Sequence, residues 1–201
     1  MRKNPGASGP WGVFILRAVP SAIVALVITF SADHSTTLGF VGLGAWALAT
    51  AIVLAYGAMR GQLSRSTFVA HAALLATGGV VALMFFTQPV AVLLFLVSTL
   101  LGVTGVLELV GGIVFRRSVE ARDRIFVGGA TAVTAIAVLL IPADYNQVIS
   151  IPGKVVPPLT ASVIVVGLFG AYCAIITVYL VIAGLSAKWA PDPASPLTEK
   201  K

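Results

Sequence analysis

The chain has 201 residues, of which 58% are apolar and 10% charged, with a mean hydropathy of +1.02. Soluble domains average about 45–50% apolar and about 25% charged residues, so these values exclude a water-soluble fold, a disordered chain and a disulfide-stapled secreted domain. They imply an integral membrane protein, and the net charge of +6 has to be explained within that class.

A polar N-terminus over residues 1–11 carries Arg2 and Lys3. Six apolar runs follow, at about residues 12–31, 38–59, 68–86, 90–115, 125–142 and 160–185. Arg17 and Pro20 interrupt the first run, and a polar loop with Asp33 and His34 ends it. Arg60 and Arg65 separate the second run from the third, and Thr87-Gln88-Pro89 joins the third to the fourth. A charged loop with Arg116, Arg117, Arg122 and Arg124 comes next. Residues 143–159 form a longer loop before the sixth run. Residues 186–201 are a tail with Pro191, Pro193 and Pro196, too polar to pack. At 1.5 Å of rise per residue the runs match a hydrocarbon core of about 30 Å. They are apolar all round and lack the alternation of a membrane barrel. The expected fold is all-α: a polytopic membrane protein with six transmembrane helices.

An even number of spans places both termini on one side. Twelve of the 13 basic residues then share that side and Lys154 alone lies opposite, so the termini are expected in the cytoplasm. The same bias accounts for a pI near 9.9 with no nucleic acid partner. A signal peptide is the competing reading of the first run, but Phe30 would occupy the −3 site, where small residues are needed.

The runs begin near residues 12, 68 and 125, spacings of 56 and 57 that suggest a repeated helical hairpin. Three hairpins disfavour a two-fold inverted-repeat transporter. In the second hairpin, Ala73-Leu-Leu-Ala-Thr-Gly-Gly-Val-Val-Ala-Leu, Thr87-Gln-Pro89 and Gly102-Val-Thr-Gly105-Val-Leu-Glu-Leu-Val-Gly-Gly112 follow in order. This pattern resembles the hairpin unit of HdeD-like membrane proteins, small six-span bacterial proteins associated with acid resistance. The resemblance covers the spans, while the long third outer loop departs from it. It implies residence in the bacterial inner membrane and an accessory or stress-linked role without a defined reaction or catalytic residues.

Small residues four apart lie on one helix face and let backbones approach closely. Gly78, Gly102, Gly105, Gly128 and Gly167 are the expected packing positions, within the bundle or toward another subunit. Among ionisable residues inside spans, Arg17, His71 and Glu108 all fall roughly 5–12 Å from the cytoplasmic boundary. Arg17 has the stem to snorkel, and His71 can be an interfacial histidine. Glu108, between Leu107 and Leu109, needs a cation or a proton, with Arg17 as the leading partner and His71 a third member. Trp46 reads as packing or lipid contact and Cys173 as a small packing residue.

Asp33, His34 and Asp144 read as ordinary solvated loop residues, so no metal and no cofactor is expected. No G-x-S-x-G, H-E-x-x-H or P-loop pattern occurs, and an enzyme is not expected. Val148, Ile149, Ile151, Val155 and Val156 point to an outer loop that lies on the membrane or caps the bundle. Expected partners are the lipid bilayer and either further copies of the chain or other membrane subunits. Beside the HdeD-like role stand two alternatives, a small accessory subunit of a larger complex such as a respiratory supercomplex, and a small transporter or channel.

Overall fold

The computed structural model describes residues 11–60, 65–116, 121–148 and 157–189. Among them are six helices: α1 (Trp11–Phe30), α2 (Thr36–Met59), α3 (Arg65–Met84), α4 (Val90–Val114), α5 (Ala121–Leu139) and α6 (Ala161–Trp189). Five of these, all but α5, are long and apolar enough to cross a membrane. The N-terminal ten residues, the far end of the tail and residues 149–156 of the outer loop lie outside the described residues, as do Ile149, Ile151, Val155 and Val156. Of the loop positions named above, Val148 is described and exposed. The loop's ends close as a short antiparallel pair, β1 (Asn146–Gln147) with β2 (Leu159–Thr160).

Local chemistry sets the helix ends. Asp33 accepts hydrogen bonds from the backbone N–H and the hydroxyl of Ser35. The Ser35 Oγ in turn accepts from Leu38 N at 3.3 Å and caps α2, which satisfies one of the helix's orphan donors. Asp33 is thereby a loop organiser. α5 begins at Ala121, inside the segment expected to be a charged loop. Two contacts hold that turn in place: Asp123 accepts from the Tyr179 hydroxyl at 2.7 Å, and the Arg124 guanidinium lies over the Phe68 ring. α6 runs on through Trp189, into the segment expected to be tail, and Lys188 there lies over the Trp11 ring.

α2, α4 and α6 touch one another at the middle of the bundle, and α1, α3 and α5 fill the gaps around them. Hairpin mates pack together, but the most extensive seams join α2 to α3, α4 to α5 and α6 to α1, across the expected hairpins. Glycines account for this. A Cβ at Gly44 or at Gly79 would lie 3.0 Å from the carbonyl oxygen of the other. A Cβ at Gly105 would lie 2.8 Å from Ala132 N, and one at Gly128 2.5 Å from Leu109 N. Gly170 and Gly184 seat Ile28 and Ile15 of α1. At Gly44 with Gly79 and at Gly105 with Gly128 both backbones are bare, and these faces lie between hairpins.

Large apolar side chains cover the exterior: Leu26 and Val27 on α1, Ile52 on α2, Val106 and Ile113 on α4, Val133 and Ile136 on α5, Val178 and Ile182 on α6. Glu108, His71, Thr104 and Thr131 are buried within. Soluble folds put polar groups outside; a helical bundle with this reversed polarity has the solvent preference of a membrane protein.

Candidate functional site

Arg17, His71 and Glu108 each lie six residues from the same end of the bundle, counted from Trp11, Arg65 and Val114. Six residues of helix measure about 9 Å, so the three occupy one level. Glu108 belongs to the buried stripe Val97, Leu101, Thr104, Glu108, Gly111 of α4, whose spacing of three and four keeps it on the inward face. Its side chain is 3% exposed, which leaves it no route to water or headgroups.

The structure brings all three together. The Arg17 Nη2 pairs with Glu108 Oε1, and His71 Nδ1 lies 3.5 Å from the same oxygen. α1 packs on α6 and α2, so the long Arg17 side chain crosses the interior to reach α4. A carboxylate and a guanidinium in a dry interior each relieve the other's desolvation, and the pair costs far less than either charge alone.

Around this pair lie groups that no motif in the sequence singles out. Trp46 Nε1 donates to Ser21 Oγ at 3.0 Å, tying α2 to α1. Thr131 and Tyr172 share a hydrogen bond of 2.9 Å between α5 and α6. Trp46 meets the Phe169 and Tyr172 rings edge-on, with centroids 5.6 and 5.9 Å away. Every helix therefore contributes to one polar centre, which lines a cavity of about 10 Å³. Polar residues at inward positions of apolar helices were the available signal. Finding them required knowing which face of each span is inward.

Of the expected packing glycines, Gly105 and Gly128 form the α4–α5 seam and Gly78 seats the Leu100 side chain. Gly102 meets Ala135 at an ordinary 3.7 Å, and Gly167 meets nothing within 4 Å. In α6 the close contact falls three residues later, at Gly170. Cys173 and Trp46 are buried. Among the described residues no group of three His, Cys, Asp or Glu is placed to hold a metal ion. Chemically, the centre can hold a charge pair out of water and admit at most one small molecule. Compared with family models, curated proteins and solved structures, the chain matches none.

Proposed function

We propose that the chain is a non-enzymatic protein of the bacterial inner membrane with an HdeD-like accessory or stress-linked role. It spans the bilayer six times as three helical hairpins and keeps both termini in the cytoplasm. The observation that carries this reading is the buried polar centre inside an apolar exterior. Arg17 and Glu108 satisfy each other there, and the space beside them, about 10 Å³, is too small for a permeating solute. The centre acts as an internal lock that draws six helices to one point.

The packing of α5 supports a sixth span. It runs antiparallel along α4, from Gly112 beside Ala121 at one end to Gly102 beside Ala135 toward the other. Its outer face carries Phe126, Val133, Ile136 and Leu139. A bilayer that covers α4 therefore covers α5, while Arg122 and Asp123 remain at the basic, cytoplasmic end.

A second reading, the accessory subunit of a larger membrane complex, draws on two outward grooves beside α4. One, of about 290 Å³, runs between α4 and α5 past Gly102 and Ala132. The other, of about 200 Å³, runs between α3 and α4 past Gly78 and Leu100. Purification in a mild detergent, with mass spectrometry of everything that co-elutes, separates the readings. The HdeD-like reading expects the chain alone or with its own copies, and a deletion strain that survives acid shock poorly. A stoichiometric second protein with unchanged acid survival transfers the assignment to the accessory subunit.

A further inference from the structure

One hydroxyl in the centre is left without a hydrogen-bond partner in the protein. Thr50 on α2 is 2% exposed, and its Oγ1 makes no hydrogen bond to any protein group among the described residues. A threonine inside a helix can turn its hydroxyl to the carbonyl one turn back. Thr104, Thr131 and Thr177 do so, toward Leu100, Val127 and Cys173, at 2.6–2.7 Å. Thr50 instead lines the central cavity, together with Thr104, Glu108 and Tyr172.

Hydrogen accounting defines what that cavity can hold. Thr131 gives its hydrogen to the Val127 carbonyl, so it must accept from the Tyr172 hydroxyl. Thr104 gives its hydrogen to Leu100. Thr104 and Tyr172 therefore turn lone pairs toward the cavity, and Thr50 adds a hydroxyl free to donate or accept. The complement is a small molecule with donors and acceptors of its own. A cation is disfavoured by the Arg17 guanidinium already on Glu108, and an anion by the carboxylate. The volume, about 10 Å³, is about the least that admits a water.

We propose that this cavity is a binding site for a single water molecule, held by Thr50 and bridging α2 to the Arg17–Glu108 pair. The water supplies the partner that Thr50 lacks and a further hydrogen bond to the centre. Buried ion pairs need such additional bonds to be tolerated.

The test uses the full chain in detergent micelles with labelled threonine methyls. A nuclear Overhauser cross-peak between the Thr50 methyl and a long-lived water is expected in the wild-type protein. Thr50→Val keeps the side-chain shape and removes the hydroxyl. With the water in place the variant loses one of its ligands, and the melting midpoint falls by about 2–4 °C. In a dry cavity the same change removes an unpaired hydroxyl and raises the midpoint. An absent cross-peak, or a raised or unchanged midpoint, overturns the proposal. Should the variant fail to fold, the wild-type cross-peak decides by itself.

Discussion

Glu108 shows why one residue can organise an interior. Its stem is too short to reach the interface from six residues inside α4, so a charged carboxylate there has to be neutralised where it stands. Arg17 does this from α1, and His71 faces the same oxygen at 3.5 Å. Glu108→Leu should strand the guanidinium and cost about 3–5 kcal/mol, whereas Arg17→Leu/Glu108→Leu should cost much less. Thermal melts of the two single variants and the double variant measure the difference.

At the scale of the helix, the glycines separate into two kinds. Gly128 and Gly105 lie where the α4 and α5 backbones touch, and a methyl group at Gly128 would sit 2.5 Å from Leu109 N. Backbone cannot rotate away as a side chain can, so Gly128→Ala should force the helices apart at a cost of about 1–3 kcal/mol. Gly167 has open space around its Cβ position. Gly167→Ala should leave stability unchanged or raise it by about 0.5–1 kcal/mol, because glycine is a poor helix interior residue. Detergent melts of the two variants check the contrast, and equal effects would remove the seam from the explanation of helix pairing.

For the whole molecule, the seams close a ring. α6 returns to α1, with Gly184 against Ile15 and against the carbonyl of Trp11, so the first and last helices are neighbours. Cysteines at Ile15 and Gly184, in a Cys173→Ala background, should be joined by a short bifunctional maleimide. A linear row of three hairpins gives no such product. Reporter fusions after Arg65, Arg124 and Lys201 should all report cytoplasm, and fusions near Asp33, Gln88 and Gly153 the outside. A cytoplasmic signal at Gly153 together with an outside signal at Lys201, the others as stated, would remove one span and identify α5 as a helix that does not cross.

The chain's solvent and its helix content were legible in composition and run length, because burying backbone in lipid leaves helices or barrels as the choices and the alternation of a barrel is missing. The level of Arg17, His71 and Glu108 was legible too, since helical rise converts residue number into depth. Rotation about each helix axis was not. In a span that is apolar all round, no amphipathic stripe marks the inward face, so Thr50, Thr131 and Tyr172 could not be told from lipid-facing residues, nor Gly170 from Gly167. Neighbour choice was hidden for the same reason. Short links such as residues 85–89 keep the ends of α3 and α4 together, yet the tightest contact of α3 is with α2, where Gly79 and Gly44 leave both backbones bare. Depth is a property of one helix and can be counted along it. Facing is a property of two helices, and it is decided only when their surfaces meet.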